Sequence, residues 1–205
     1  MPRGEGITLV VLAGGGGTRL GGVHKPLLEL EGRPLLVHVL ERLGPVTHSA
    51  IVVTRTPALY RERMPGLPVV TDRVPDGGPL AGLDAALAAC TTEWVALVGG
   101  DMPRVHPRAL TILEEAMDES AQWIAFVRDG RREPLPALYR RSAKGVIPDL
   151  LAKGAGMQAL MRETSGVEVP VERLRAHDAS LESLQGINTP EDAARLGVVL
   201  PRTIP

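Results

Sequence analysis

The stretch ITLVVLAGGGGTRLGGVHK, residues 7–25, joins an apolar run to a loop with six glycines between Gly14 and Gly22. An unbroken apolar run such as Ile7 to Ala13 is typical of a strand that is buried on both faces of a parallel sheet. Glycines directly after such a strand let successive backbone N–H groups converge on an anion, because no side chains obstruct them. The stretch therefore predicts a phosphate-binding loop at the end of the first strand.

Three other interpretations of the glycine loop fit the sequence less well. The dinucleotide-binding pattern GxGxxG fails in every register, and no acidic residue ends the second predicted strand to hold a ribose. A P-loop would need a lysine followed by serine or threonine directly after the glycines, and none stands there. A flexible turn without a ligand stays open as the structural interpretation, although the position after a buried strand argues against it.

Apolar runs alternate with segments of helical apolar spacing along most of the chain. The predicted strands are Ile7–Ala13, Ala50–Thr54, Pro68–Val70, Trp94–Val98, Gln122–Val127, Leu138–Arg140 and Val167–Val171. The predicted helices are Arg33–Leu43, Pro57–Met64, Pro79–Cys90, His106–Met117, Ser142–Ala152, Met157–Glu163 and one that begins at Pro190. This alternation implies an α/β class, with a mostly parallel sheet covered by helices on both faces, and a single domain over residues 1–205. Ligands of such sheets bind beyond the carboxyl ends of the strands, so the loops there should share one edge.

The composition excludes several classes of partner. A formal net charge of -1 offers no general attraction to nucleic acid or to an anionic membrane, so we expect neither as a partner. The two Trp, two Tyr and one Phe are too few to sandwich nucleic-acid bases between rings. The single cysteine, Cys90, cannot form an internal disulfide, and no signal-peptide or transmembrane run is evident, which predicts a cytoplasmic protein. We expect Cys90 to be a core residue.

Two cations and one carboxylate are the candidates for chemistry at this edge. Arg19 and Lys25 flank the second half of the glycine loop, where fixed cations can hold a triphosphate and stabilise charge on a departing pyrophosphate. An isolated surface cation is usually only solvated, so this prediction depends on the loop beside them. Asp101 follows an apolar strand and two glycines, where a carboxylate can hold magnesium or can cap a helix that begins near Pro103. The glycine loop at the same edge of the sheet favours magnesium binding over helix capping as the role of Asp101.

Further polar residues are expected at the same edge. Asp72 stands just past the third predicted strand, and the small residues of Gly77–Gly82 leave room there for a base or ribose. Taken alone, Asp72 is better explained as a turn residue. Asn188 and Thr189 predict the N-terminal cap of the last helix, to which a ligand contact would be additional. The five histidines show neither metal-ligand spacing nor a nucleophilic partner, and we assign them no catalytic role.

Four segments together resemble one family. LAGGGGTRLGGVHKPLLELEGRPLL, residues 12–36, resembles the signature of the molybdenum cofactor guanylyltransferases, which has Leu-Ala-Gly-Gly, small residues, an arginine and then a lysine. GPLAG at 78–82, EPLPALYRRS at 133–142 and INTPED at 187–192 follow in family order. Cytidylyltransferase relatives that act on the same pterin tend to carry LAAG and to lack GPLAG, which favours guanine here.

The resemblance implies a Rossmann-like, three-layer α/β/α nucleotidyltransferase fold and a reaction. The family joins GMP from GTP to the terminal phosphate of molybdopterin, releases pyrophosphate and requires magnesium, and any contact with molybdoenzyme maturation proteins would be transient. Carried onto the matching positions, Arg19, Lys25 and Asp101 are catalytic, Asp101 binds the metal and Asn188 binds the acceptor. The resemblance places the nucleotide at Leu12, Ala13, Gly14, Gly15, Lys25, Thr54, Asp72, Gly78, Pro79, Leu80 and Asp101.

Leu20 replaces the family's usual methionine conservatively, and the chain departs further from the family pattern at three places. A second-strand asparagine is replaced near Thr54, His24 stands where an aspartate usually precedes the lysine, and the usual Asn-Ile-Asn becomes Gly186-Ile-Asn. Two alternative functions stay open at this point. One is a related nucleotidyltransferase with a different NTP or acceptor, such as cytidylyl transfer to molybdopterin or nucleotidyl transfer to a sugar phosphate. The other is a non-catalytic GTP-binding regulator, against which the retention of both cations and the strand-end aspartate argues.

Overall fold

The computed structural model describes residues 6–14, 24–72 and 74–200. Its strands are β1 (Ile7–Leu12), β2 (Glu29–Leu30), β3 (Arg33–Pro34), β4 (Ser49–Thr54), β5 (Val69–Thr71), β6 (Trp94–Gly99), β7 (Trp123–Arg128), β8 (Arg131–Arg140), β9 (Gly166–Pro170) and β10 (Val198–Val199). Its α-helices are α1 (Leu35–Leu43), α2 (Pro57–Arg63), α3 (Gly78–Ala89), α4 (Pro107–Glu114), α5 (Ile147–Ala152), α6 (Met157–Glu163), α7 (Glu172–Arg175) and α8 (Pro190–Leu196). Two predicted site residues, Gly15 and Arg19, lie outside the described residues. Within the described ranges, no helix combines the length and the apolar character needed to cross a membrane.

Seven strands form one sheet in the order β5-β4-β1-β6-β8-β7-β9. The strands β5, β4, β1 and β6 run parallel. The strand β8 runs antiparallel to both of its neighbours, and β9 is again parallel to β7. All of β6 and nearly all of β1 are buried, as expected for strands that carry helices on both faces. The predicted α/β class with a mostly parallel sheet is confirmed.

Side chains of the sheet alternate between two helical layers. Leu9 and Val11 share one core with α1, α2, α4 and α7, whereas Val10 shares the other core with α3, α5 and α6. Cys90 is buried just after α3, as predicted. A smaller antiparallel sheet, in the order β10-β2-β3, packs with α8 around a third apolar cluster that includes Ile187. The three-layer α/β/α arrangement that the resemblance implies is therefore present.

The strand β8 is longer than predicted. The prediction covers only Leu138–Arg140, because Pro134 and Pro136 interrupt the apolar pattern before it. In the structure β8 has ten residues and pairs with β7 through a two-residue turn at Asp129–Gly130, both at positive φ (51° and 73°). An Asp-Gly pair between two apolar runs is a strong sequence signal for such a hairpin, and the prediction missed it.

The order of the sheet locates its ligand-binding edge. The chain passes from β1 outward to β4 and β5, and it then returns to β6 on the other side of β1. In open α/β sheets a crevice forms at the carboxyl ends of the strands where the order reverses in this way. Ala13 and Gly14 follow β1 at this switch point, and Gly100 and Asp101 follow β6. Since β1, β4, β5 and β6 are parallel, the loops after them share one edge, as predicted.

Candidate active site

The ends of β1 and β6 meet at a glycine. Leu12 pairs with Gly99 in the sheet, and the N–H of Gly100 donates to the Leu12 carbonyl oxygen at 2.9 Å. A Cβ atom at position 100 would lie 3.0 Å from that oxygen and 3.0 Å from the Cβ of Pro26. Both distances are shorter than ordinary van der Waals contact. Glycine at this position therefore allows the turn that carries Lys25 to pack directly against the ends of both strands.

Two buried hydroxyl groups hold the backbone where the glycine loop begins. The Ala13 carbonyl oxygen accepts hydrogen bonds from Thr54 Oγ1 and from Tyr60 Oη, each at 3.2 Å. Both side chains are fully buried. Burial raises the pKa of Tyr60, and the charge of Arg63 offsets only part of this rise, so the phenol stays protonated as a donor. The hydroxyl of Thr54, a predicted nucleotide contact, is thus engaged with the protein backbone.

Tyr60 is a site residue that the sequence analysis missed. In the sequence it is one apolar residue of a short amphipathic helix, and its bond to Ala13 joins positions 47 residues apart. That contact exists only after β1 and β4 have paired and α2 has packed on the sheet. The rings of His24 and Tyr60 form a T-shaped pair, with centroids 6.5 Å apart and an angle of 81° between the ring planes. The turn before Lys25 is therefore packed against the same tyrosine.

Lys25 and Asp101 face each other across the crevice. Lys25 Nζ lies 3.6 Å from Asp101 Oδ2, and the two side chains are 18% and 23% exposed. Burial raises the pKa of Asp101 above its ordinary value, and the Lys25 charge offsets only part of that rise. A Cβ atom at Gly99 would lie 2.7 Å from Asp101 Oδ1, and one at Gly186 would lie 3.1 Å from it. The carboxylate occupies a space that two glycines leave for it, and its negative charge is only partly compensated.

A segment from the far end of the chain completes this cluster. Lys25 Nζ donates to Asn188 Oδ1 at 3.0 Å, and the N–H of Ile187 donates to the Asp101 carbonyl oxygen at 3.1 Å. Thr189 then caps α8 in a capping box formed within the first turn of the helix. The predicted cap is confirmed at Thr189, and Asn188, one residue before it, is left to face Lys25.

The residues that are predicted to bind the nucleoside lie at the end of β5 and the start of α3. Asp72 Oδ1 accepts from the N–H of Val74 at 3.0 Å, which is the turn role that the sequence also allowed. Gly78, with φ of 58°, and Pro79 begin α3 in exposed positions at this edge. Leu80 is fully buried in the core beneath them. The side chain of Leu80 therefore packs beneath the start of α3.

The structure brings the predicted site residues into two groups at one sheet edge. The first group surrounds the switch point and consists of Leu12, Ala13, Gly14, Lys25, Asp101 and Asn188. The second group, at the end of β5 and the start of α3, consists of Asp72, Gly78 and Pro79. Among the residues that the structure describes, no three acidic, histidine or cysteine side chains come together as a ready-made metal cage. The first group can hold phosphate charge with its ammonium and a cation with its single carboxylate.

Comparisons with known proteins agree with this geometry. A family model described as the MobA-like NTP transferase domain matches residues 9–169. The chain is 36% identical to the molybdenum cofactor guanylyltransferase of Serratia proteamaculans over 195 residues, covering 93% of this chain and 94% of that protein. It is 33% identical to the protein of the same name from Cupriavidus metallidurans, covering 94% of this chain and 98% of that protein.

A solved structure matches over almost the whole chain as well. The crystal structure of molybdopterin-guanine dinucleotide biosynthesis protein A from Archaeoglobus fulgidus superposes with a TM-score of 0.80 at 30% identity, over 92% of this chain and 96% of that one. A nucleotidyl transferase from Methanothermobacter superposes with a TM-score of 0.67 at 25% identity, over 93% and 95%. The sequence relatives, the family model and the superposed structures all indicate the same family. The chain belongs to the molybdenum cofactor guanylyltransferases, a family of MobA-like nucleotidyltransferases, and it is an enzyme.

Proposed function

We propose that this enzyme transfers GMP from GTP to the terminal phosphate of molybdopterin, in its free or molybdenum-loaded form, and releases pyrophosphate. The observation that carries the proposal is the convergence of Lys25, Asp101 and Asn188 at the switch point of the sheet, beside the start of the glycine loop. The names of the relatives support guanine as the base that is transferred and the molybdenum cofactor as the acceptor. The match extends over nearly the full length of those relatives, which supports the same activity here.

The proposed step is an in-line displacement at the α-phosphorus of GTP. An oxygen of the acceptor's terminal phosphate forms a new bond to that phosphorus, while the bond to the bridging oxygen of the β-phosphate breaks and pyrophosphate leaves. The attacking oxygen is already ionised at neutral pH, so positioning and charge stabilisation matter more than a general base. Backbone N–H groups from Gly14 onward orient the triphosphate, and Lys25 and Arg19 stabilise the charge that moves onto the pyrophosphate.

We propose magnesium as the metal, held by Asp101. Magnesium in phosphate-transferring sites usually takes one or two carboxylates and fills its remaining positions with phosphate oxygens and water. A single carboxylate with incompletely compensated charge fits that requirement, and a cage of several protein ligands is not needed. The bound ion would neutralise charge on the α- and β-phosphates. The Lys25 ammonium, 3.6 Å from the Asp101 carboxylate, would bind the same triphosphate.

The remaining predicted contacts are assigned by their place at the edge. Asp72, Gly78 and Pro79 are proposed to bind the nucleoside, since they lie at the end of β5 and the start of α3. Thr54 would act through the backbone that its hydroxyl supports. Asn188, whose amide oxygen accepts a hydrogen bond from Lys25 Nζ, is assigned to the acceptor by resemblance.

The test is GMP transfer by purified Asp101→Ala and Lys25→Ala variants. Removal of one such electrostatic contact is expected to lower the rate by about 10²- to 10³-fold, by analogy with the loss of an oxyanion donor. Asp118→Ala is a matched control, because Asp118 is exposed and precedes β7 at the opposite edge of the sheet. Asp101→Ala at the wild-type rate would show that the metal assignment is wrong.

The acceptor and the nucleotide are tested separately. Incubation with each NTP, with and without molybdopterin, is expected to give pyrophosphate only with GTP and molybdopterin together. Release with CTP, or with a sugar phosphate as acceptor, would replace this function by that of the related nucleotidyltransferases. Tight binding of magnesium GTP without turnover on any acceptor would instead indicate a regulator.

We further propose that residues 1–205 act as one domain in the cytoplasm. One sheet includes strands from both halves of the described chain, and the buried free thiol of Cys90 suits a reducing compartment. A single cooperative unfolding transition would support one domain, and two separate transitions would contradict it. Contact with molybdoenzyme maturation proteins, expected to be transient, is part of the same proposal.

A further inference from the structure

The Lys25 ammonium lies closer to an amide than to the carboxylate of the site. Its Nζ atom is 3.0 Å from Asn188 Oδ1 but 3.6 Å from Asp101 Oδ2. The first distance is a hydrogen bond, and the second exceeds the usual range of one. We propose that Asn188 is a positioning residue for Lys25, which keeps the ammonium free to bind the triphosphate and keeps the Asp101 carboxylate free to bind a cation. This inference rests on the proposed function and extends it.

The chemistry of an amide explains why asparagine suits this position. A lysine ammonium has three N–H donors and, beside a single carboxylate, would otherwise close onto that carboxylate as an ion pair. The Asn188 oxygen takes one donor without adding a negative charge, so the ammonium keeps its full charge for phosphate. A carboxylate at position 188 would fix the ammonium equally well, but it would also neutralise it.

Asn188 is itself held in this orientation. Its Nδ2 donates to the Gly186 carbonyl oxygen at 3.3 Å, which directs Oδ1 toward Lys25. Its backbone N–H donates to Asp192 Oδ2 at 2.9 Å, which ties the residue to the first turn of α8. The adjoining Ile187 N–H donates to the Asp101 carbonyl oxygen. The amide is therefore anchored to the helix on one side and to the end of β6 on the other.

The inference differs measurably from a role in acceptor binding alone. A residue that positions Lys25 affects the binding of magnesium GTP when no acceptor is present. A residue that contacts only the acceptor leaves GTP binding unchanged and raises KM for molybdopterin. The affinity for GTP in the absence of molybdopterin therefore separates the two roles.

The experiment measures the Kd for magnesium GTP by calorimetry for the wild-type protein and five variants, one of which is the double variant of Lys25 and Asn188. We expect Asn188→Ala to weaken binding by about 2- to 5-fold, since a hydrogen bond to a charged group is lost at an exposed position. Asn188→Asp should weaken it further, because its carboxylate competes with the triphosphate for Lys25. In a Lys25→Ala background, Asn188→Ala should cause no further loss, because the residue acts through the lysine.

Gln185→Ala is the matched control. Gln185 is an amide on the same segment, bonded to Ser180 and Arg195 rather than to Lys25. It should leave GTP binding unchanged, and thermal unfolding of every variant checks that the fold is intact. The inference is overturned if folded Asn188→Ala binds GTP as the wild type does, or if its loss simply adds to that of Lys25→Ala. Failure of the wild type to transfer GMP to molybdopterin would overturn the proposed function but would leave this binding measurement valid.

Discussion

The close approach of β1 and β6 makes Gly100→Ala an informative perturbation. The added methyl group would lie 3.0 Å from the Leu12 carbonyl oxygen and 3.0 and 3.1 Å from two ring carbons of Pro26. Neither neighbour is a flexible side chain. One is the backbone of a central strand, and the other is a proline ring in the turn that carries Lys25. The strain must therefore move the end of β6, where Asp101 follows directly.

The magnitude follows from these distances. Ordinary contacts begin near 3.4 Å, so the methyl group and its neighbours must separate by about 0.4 Å. Overpacking of this kind costs about 1–3 kcal/mol, which corresponds to about 2–4 °C in Tm for each kcal/mol in a protein of this size. A displacement of about 1 Å at a reacting group can cost roughly 100-fold in rate, so a few tenths of an ångström predict a loss of about 3- to 10-fold in kcat.

The assay combines thermal unfolding with GMP transfer, and Gly145→Ala serves as the control. Gly145 lies in the 3₁₀ helix Arg141–Val146 beyond the end of β8, at the opposite edge of the sheet, and a Cβ atom there meets nothing within 4 Å. We expect the control to unfold at or above the wild-type temperature and to keep its activity. A Gly100→Ala protein with wild-type stability and wild-type kcat would refute the argument that this glycine sets the distance between the two strand ends.

Three further predictions concern groups that support the site from a distance. Tyr60→Phe keeps the ring but removes one of the two hydrogen bonds to the Ala13 carbonyl oxygen. It should therefore lower the free energy of unfolding by about 1 kcal/mol and raise KM for GTP. Unchanged values of both quantities would exclude a role of the phenol in holding the start of the loop. Thr189→Ala removes the cap of α8 and should cost about 1 kcal/mol in urea unfolding at neutral pH. The N–H of Asn188, with that of Thr189, holds the pKa of Asp192 below its ordinary value, so the contribution of this carboxylate is complete at neutral pH and is lost as the pH falls through that lowered pKa. An Asp192→Asn protein whose stability fell with acid as steeply as that of the wild type would contradict this linkage.

The elements that were predicted correctly have local signals. The strand at Ile7–Leu12 and the helix at Leu35–Leu43 follow from an unbroken apolar run and from apolar residues on one helical face. The first seven residues of β8 and the two-residue strands β2, β3 and β10 were missed. These segments become strands because they pair with partners elsewhere in the chain, and their own residues carry no clear strand pattern. The same reason accounts for Tyr60, whose partner is brought to it only by the packed sheet.

The sequence by itself determined the fold class, the position of the glycine loop that we predict to bind phosphate, and the identity of Lys25, Asp101 and Asn188 as candidates. The fold class, the loop and the candidate residues can be predicted from residue types and their order along the chain, because apolar periodicity and family motifs are visible there directly. Only the tertiary structure decided that the three side chains meet, that Gly100 and Gly186 make room at the Asp101 end of β6, and that the amide is the nearer partner of the ammonium. Distances between residues far apart in sequence are set by the sheet order and by the packing of α8, and no local pattern encodes them.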